Sequence, residues 1–211
     1  MTKVGILSDT HGELLPQVLR FLEPCQCLWH AGDLGGLPVL DRLSAFKPTL
    51  AVYGNIDDYL VRLSLQERRI FECEGCKIAM THIGGYPGHY APGILPWLEA
   101  EKPDLFISGH SHILKVMPDK KHGWMHINPG AAGNKGFHAH ITAVRLDIDG
   151  KKLSNLEVFD LDRASLGHAR TICPDSRPAE QAESNPATAG PHSTTSNPLS
   201  SSLKNQAHVQ D

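Results

Sequence analysis

Side chains of the kind that bind divalent metals follow short apolar runs at five places in this chain. A glycine borders most of these segments. A strand that ends in a sharp turn leaves the next polar side chain at its carboxyl tip, where α/β sheets build binding sites. Five such tips aimed at one place predict a site for two metal ions. The seven residues are Asp9, His11, Asp33, Asn55, His82, His110 and His112.

These donors are carboxylate, amide and imidazole groups, which suit manganese, iron, zinc, cobalt or nickel more than calcium. His110 and His112 are two residues apart, so an extended segment places both imidazoles on the same side. Asp33 is a lone carboxylate that could bridge two ions. Two ions about 3.5 to 4 Å apart generate a hydroxide at neutral pH and support an in-line displacement at phosphorus. The predicted chemistry is therefore phosphoester hydrolysis.

The elements that must position these residues follow from the apolar periodicity. Strands are predicted at residues 3–8, 27–30 and 49–53, with amphipathic helices at residues 14–22 and 37–46 between them. This βαβαβ order implies parallel strands. We expect an α/β fold, specifically a four-layer α/β/β/α sandwich of two mixed sheets flanked by helices. The remaining predictions are a helix at residues 91–101 and strands at residues 70–73, 77–81, 105–108, 114–117, 124–127, 141–148 and 153–159.

Composition limits the class of protein. With 211 residues and 40% hydrophobic content, the chain predicts one domain at residues 1–173. Residues 174–211 are rich in Ser, Pro, Asn and Thr and predict a disordered polar tail. The net charge of -3 gives no field that would attract long nucleic acid or a membrane.

Five cysteines and the absence of a signal-like apolar run predict a cytoplasmic location. Cys73 and Cys76 have the spacing of zinc ligands, but no second pair with that spacing is present. We expect packed thiols that flank a turn at Glu74 and Gly75.

The five segments, taken in order, resemble the signature blocks of the calcineurin-like metallophosphoesterases over residues 1–159. The second block, with His30 before Asp33, and the Asn128-Pro129-Gly130 segment are most similar to those of small bacterial and archaeal phosphodiesterases of the YfcE type.

The resemblance implies a phosphodiesterase with two divalent metal ions, in which a hydroxide between the metals attacks phosphorus. Mn²⁺ is the ion we expect first, with Ni²⁺, Fe²⁺, Co²⁺, Zn²⁺ and Mg²⁺ as alternatives. A small phosphodiester is the expected substrate, and a homo-oligomer is compatible with the sequence. The implied ligands are Asp9, His11 and His112 for one metal and Asn55, His82 and His110 for the other, with Asp33 as the bridge.

One position departs from the pattern of the more active relatives. A histidine that assists the leaving group commonly follows the third-block asparagine, and this chain has Ile56 there. The catalytic group expected from the resemblance is Asp33, Asn55 and His82. His89 and His138 are candidate replacements for the missing acid, and a surface histidine is the alternative reading of each.

The resemblance leaves a rival function open, namely a weakly active or non-catalytic scaffold that binds a protein, as a related retromer subunit does. Loss of metal ligands would be its mark, and all seven are present. Beside the ligands, we expect His30 to pack or to hydrogen-bond and Asp57 to orient a neighbour. The segment at residues 128–130 is either a turn or a phosphate cradle.

Overall fold

The computed structural model describes residues 1–168. The predicted tail at residues 174–211 lies outside the described residues, and so does Cys173. Among the described residues, no helix has the length and apolar character needed to cross a membrane.

The order of elements follows the sequence prediction closely. Three elements had no prediction, namely the short helix α3, the hairpin β6–β7 and a closing 3₁₀ helix. In chain order, the elements are β1 (Thr2–Leu7), α1 (Pro16–Leu22), β2 (Cys27–His30), α2 (Leu37–Phe46), β3 (Thr49–Ala51), α3 (Tyr59–Ser64), β4 (Arg68–Cys73), β5 (Cys76–Thr81), β6 (Gly85–Tyr86), β7 (His89–Tyr90), α4 (Ile94–Glu101), β8 (Leu105–Ile107), β9 (Leu114–Pro118), β10 (Met125–Pro129), β11 (His140–Asp149), β12 (Lys152–Asp162) and the 3₁₀ helix Arg163–His168.

Two five-stranded sheets carry the fold. The first has the order β12-β11-β1-β2-β3, and the second has the order β4-β5-β8-β10-β9. Strands β1, β2 and β3 run parallel, as do β5, β8 and β10. Strand β11 is antiparallel to both β1 and β12, β4 is antiparallel to β5, and β9 is antiparallel to β10. Both sheets are therefore mixed, as predicted.

The alternation of side chains along the strands fills three apolar layers. In β1, Val4 and Ile6 point into the cluster between the two sheets, whereas Leu7 joins the cluster beneath α1 and α2. In β8, Ile107 belongs to the central cluster, and Phe106 packs on the other side against α4. The layers are helix, sheet, sheet and helix, so the predicted four-layer sandwich is confirmed.

The turn between β4 and β5 and the two thiols beside it agree with the prediction of thiols that flank a turn. Glu74 and Gly75 have φ angles of 55° and 81° between the paired residues Cys73 and Cys76, the two positive angles that a type I′ turn requires. Both thiols are free. Within the described residues, no group of metal-binding side chains contains a cysteine.

The carboxyl ends of the parallel strands lie level with one another. Leu7 of β1 is opposite His30 of β2, which is opposite Ala51 of β3. In the second sheet, Met80 is opposite Ile107. The loops that follow these strands therefore meet at one edge of the sandwich.

Candidate metal centre

Six of the predicted ligands form two compact groups at this edge. In each group, the possible ligand atoms lie within 4.8 Å of one another. Backbone hydrogen bonds hold the loops together, since the N–H of Asp9 donates to Gly32 O at 3.0 Å and the N–H of Gly109 donates to His82 O at 3.0 Å. The first group is Asp9, His11 and His112, and the second is Asp33, His82 and His110.

Asp9 is fully buried, and its two carboxylate oxygens have different surroundings. Oδ2 accepts a hydrogen bond from the N–H of His110 at 3.1 Å. Oδ1 has no hydrogen-bond partner among the described residues, although Nε2 of His112 lies 3.1 Å away. A buried carboxylate oxygen is costly without a partner, and here it points at an imidazole nitrogen. A divalent cation held by these two atoms would satisfy both.

Asp33 has the same division of roles. Its Oδ1 accepts a hydrogen bond from the N–H of Ile56 at 3.1 Å. Its Oδ2 lies 3.2 Å from Nε2 of His82 in the second group and 4.0 Å from Nε2 of His11 in the first. Burial works to raise the pKa of Asp33, but contact with His82 and the bond from Ile56 hold it below its usual value. Asp33 is therefore an ionised carboxylate with one oxygen between the two groups.

His82 is fixed with Nε2 toward the centre. Its Nδ1–H donates to the carbonyl of Ala31 at 2.8 Å, because a carbonyl oxygen can only accept. Nε2 then faces the oxygens of Asn55 at 3.1 Å and Asp33 at 3.2 Å. Burial favours neutral His82, yet the carboxylates of Asp33 and Asp9 raise its pKa overall. A proton and a metal ion therefore compete for the same nitrogen.

His112 is held by a second histidine that spacing alone did not identify. His138 donates through Nε2–H to the carbonyl of Gly133 at 2.9 Å, which leaves its Nδ1 as an acceptor. That atom lies 3.1 Å from Nδ1 of His112, which must then carry the hydrogen. Nε2 of His112 is left with a lone pair that faces Asp9 and His11. A metal-ligating histidine is commonly oriented in this way through its outer nitrogen.

The backbone also contributes to the site. Five of the seven proposed ligands have a positive φ angle, a conformation that residues other than glycine seldom adopt. Such strain is concentrated at functional sites, where the surrounding structure maintains it. The angles are 55° at Asp9, 49° at His11, 56° at Asp33, 70° at His110 and 57° at His112.

Buried polar side chains brace the loops. Asp57 accepts from the N–H of Gly35 and the N–H of Gly54, both at 2.8 Å, and so joins the loop of Asp33 to the loop of Asn55. Asp57 thus orients its neighbours, as expected.

Asn128 and His30, whose roles the sequence did not decide, also form hydrogen bonds within the fold. The Asn128 amide donates to Gly109 O at 2.8 Å, and its oxygen accepts from the N–H of Gly130 at 3.0 Å, which is the geometry of a turn. His30 donates through Nε2–H to Thr10 Oγ1 at 3.0 Å and is fully buried.

A cleft of about 800 Å³ lies over the metal groups. Its lining includes His11, His110 and His112 together with the exposed apolar side chains of Ile56 and Ile113. An apolar wall beside a group of metal-binding residues suits an ester with an apolar or aromatic substituent.

The two candidate proton donors occupy different places. His89 is exposed on β7, where its ring lies 4.9 Å from that of Tyr86, and it does not line the cleft. His138 lines the cleft, but both of its ring nitrogens are engaged. Ile56 is 47% exposed on the cleft wall.

The sequence is similar to a known protein family and to a protein of that kind. The sequence model of the calcineurin-like phosphoesterase superfamily domain matches residues 2–151. A probable metallophosphoesterase of Methanothermobacter thermautotrophicus is 29% identical over 158 residues, which cover 71% of this chain and 88% of the relative.

Solved structures share the fold. Vps29 of Entamoeba histolytica, complexed with Zn²⁺, superposes with a TM-score of 0.59 at 21% identity and covers 76% of this chain and 99% of its own. A predicted phosphoesterase of Streptococcus pneumoniae gives a TM-score of 0.53 at 22% identity and covers 77% of this chain and 90% of its own. At these identities the likeness concerns the fold alone.

Proposed function

The chain belongs to the calcineurin-like phosphoesterase superfamily, and from this premise we propose that it is a phosphodiesterase that uses two divalent metal ions. The observation that carries the proposal is the placement of Asp33, whose Oδ2 lies 3.2 Å from His82 of one group and 4.0 Å from His11 of the other. One carboxylate shared by two groups of ligands is the arrangement that a dinuclear centre requires.

We propose the following ligand assignment. Asp9, His11 and His112 would hold one ion, Asn55, His82 and His110 would hold the other, and Asp33 would be the ligand shared by both. When bound, the two ions supply an activated water for attack and stabilise the charge on the phosphate oxygens in an in-line displacement. We expect Mn²⁺ first among the ions that suit oxygen and imidazole donors.

The residues of the chain prepare this centre. Backbone amides of His110 and Ile56 donate to one oxygen of Asp9 and one of Asp33, which would leave the other oxygen of each carboxylate to bind an ion. Bonds to Ala31 and His138 keep the outer nitrogens of His82 and His112 occupied. The chain therefore contributes orientation and charge.

No imidazole stands at position 56, so this chain offers no proton donor there. Esters whose leaving group needs no proton are then hydrolysed fastest, because a stable phenolate departs without being protonated. The proposed substrate class is a small phosphodiester with an acidic or aromatic leaving group, and the apolar wall formed by Ile56 and Ile113 is consistent with it.

The test is an assay of the purified protein against aryl phosphodiesters, phosphomonoesters and cyclic nucleotides with Mn²⁺, Ni²⁺, Mg²⁺ or chelator. We expect hydrolysis of aryl diesters that depends on the metal. Asp33→Asn should remove both activity and tight binding of the two ions, since it deletes the shared charge. Asp41→Asn, an exposed change on α2, is the matched control. Two tightly bound ions and full turnover in Asp33→Asn would contradict the assignment.

The scaffold alternative makes a different prediction in the same assay. A protein-binding scaffold would bind metal and hydrolyse none of these esters with any of the ions.

We also propose a cytoplasmic location, consistent with the four free cysteines of the described residues.

A further inference from the structure

Asn55 depends on its backbone for its place at the metal centre. The residue is exposed on the loop after β3, and its Oδ1 lies 3.1 Å from Nε2 of His82. Within residues 1–168, His82 is the one hydrogen-bond partner of this side chain. An amide oxygen also carries no charge that would attract a cation, so its value as a ligand depends on its orientation. The loop must therefore hold Asn55 in place.

Arg62 is the side chain that binds this loop. It lies in the six-residue helix α3, and its guanidinium donates to three backbone carbonyls of residues 54–57. Nε donates to Asp57 O at 2.7 Å, and Nη2 donates to Asn55 O at 2.9 Å and to Gly54 O at 3.2 Å. The carbonyl of the ligand residue itself is therefore one of the three acceptors.

The guanidinium of Arg62 also contacts the ring of Tyr53. Its Cζ lies 4.9 Å from the centre of that ring, a contact that suits a planar cation. Tyr53 is two residues before Asn55, so the ring and the three carbonyls belong to one stretch of chain. The rigid fork of N–H groups fixes the spacing of the carbonyls, and the compact ammonium of a lysine does not reproduce that geometry.

The helix that carries Arg62 is anchored to the fold independently of the loop. Val61 is fully buried and belongs to the cluster beneath α1 and α2. Asp58 caps the helix by accepting from the N–H of Val61 at 3.0 Å. Packing therefore places α3, and Arg62 connects α3 to the loop of Asn55.

We propose that Arg62 is a positioning residue for the metal ion assigned to Asn55, His82 and His110. It acts by holding the loop of Asn55 in the conformation that binds the ion, and it is not itself a ligand. This inference rests on the proposed function, since it concerns the ligands assigned there.

The charge of Arg62 and its hydrogen bonds predict effects of opposite sign. A guanidinium repels a nearby divalent cation, so loss of the charge alone would strengthen binding of this ion. Loss of the three hydrogen bonds releases the loop and weakens binding. Orienting partners of metal ligands typically contribute 10- to 100-fold in affinity. We expect about 10-fold, because Asp57 still bonds to Gly35 and Gly54 and keeps part of the loop in place.

The experiment is calorimetric titration of the metal-free full chain with Mn²⁺, fitted to two sites. Arg62→Met keeps the length of the side chain and removes every donor. It should weaken one ion about 10-fold and leave the other at wild-type affinity. Arg62→Lys keeps the charge without the fork and should show a similar loss.

Arg20→Met is the matched control. Arg20 is also an exposed arginine in the last turn of a short helix, so the same change removes the same interaction with a helix end. We expect wild-type affinity for both ions. Nitrogen-15 NMR of the histidine rings during titration with Zn²⁺ identifies the weakened ion, since His82 and His110 report on one ion and His11 and His112 on the other.

Four results would overturn the proposal, namely unchanged or tighter binding in Arg62→Met, equal weakening of both ions, weakening at His11 and His112 alone, and full affinity in Arg62→Lys. The titration needs no substrate, so it is independent of hydrolysis. Two bound ions without hydrolysis of aryl diesters would contradict the proposed function, and the titration would still decide the role of Arg62.

Discussion

His138 is expected to control one metal ion and not the other. The change is His138→Ala, which removes the acceptor 3.1 Å from Nδ1 of His112. The corresponding bond of His82 is made to the backbone carbonyl of Ala31 at 2.8 Å, which no side-chain change at position 138 can remove. The two groups of ligands should therefore respond differently.

The magnitude follows from the contact that is lost. Without the acceptor, His112 is free to rotate and to take the other tautomer, which places a hydrogen where the lone pair is needed. Loss of such an orienting partner typically weakens metal binding about 10- to 100-fold, or about 1.4 to 2.7 kcal/mol. We expect this loss for the ion held by Asp9, His11 and His112.

The assay is calorimetric titration of the apo protein with Mn²⁺, fitted to two sites. His138→Asn is the rescue variant, because its Oδ1 occupies the place of the imidazole Nδ1 and keeps the acceptor. His140→Ala, which removes a 59% exposed histidine paired with Asp160 on the neighbouring strand, is the control. Wild-type affinity at both sites in His138→Ala would refute the reasoning, and so would an equal weakening of both.

Three further predictions concern other parts of the chain. Ile56→His should narrow the rate difference between aryl and alkyl diesters at least about 10-fold if a proton donor is what the site lacks, and a wild-type rate insensitive to leaving-group pKa would contradict this. His30 has its pKa lowered by burial to about 4, so the unfolded chain binds the proton more readily. Its contribution to stability is complete above about pH 6.5 and is lost as the pH falls toward 4, by about 3 kcal/mol. Urea unfolding in chelator should show this slope in the wild type and a shallower one in His30→Gln. Truncation after residue 173 should leave the melting temperature and hydrolysis unchanged, because residues 174–211 have very few large apolar side chains that could pack, and a drop of more than about 4 °C would show that they pack on the domain.

The fold could be predicted from sequence because its signals are local. Apolar runs followed by glycine and a polar residue identify the strand ends, and the parallel order of β1, β2 and β3 brings those ends to one edge. The helix α3 was missed because it has six residues and one buried side chain, Val61, too few for a periodic pattern. Its one local signal is Asp58, which caps the helix by accepting from the N–H of Val61.

The sequence could predict the groups of metal-binding residues, but it could not predict the hydrogen bonds that orient them. The contact between His112 and His138 joins residues 26 positions apart, and it depends on how the loop after Gly133 returns to the site. The tautomer of the buried residue His126 depends likewise on Ser108, which lies 3.0 Å from its Nε2 and donates to Gly85. Such hydrogen-bond directions are set by tertiary contacts, so residue type and spacing carry no trace of them.

The left-handed conformations at Asp9, His11, Asp33, His110 and His112 have an evolutionary consequence. At each position, a residue with a metal-binding side chain has a backbone conformation that side chains disfavour. Glycine at the same position would relieve about 1 kcal/mol of conformational strain. If these residues serve the proposed hydrolysis, selection for that activity acts against a folding preference. In a lineage released from that selection, the ligands would be the first residues to drift, and the sandwich would keep its stability as they disappeared. The fold can therefore be retained after the metal-binding residues are lost.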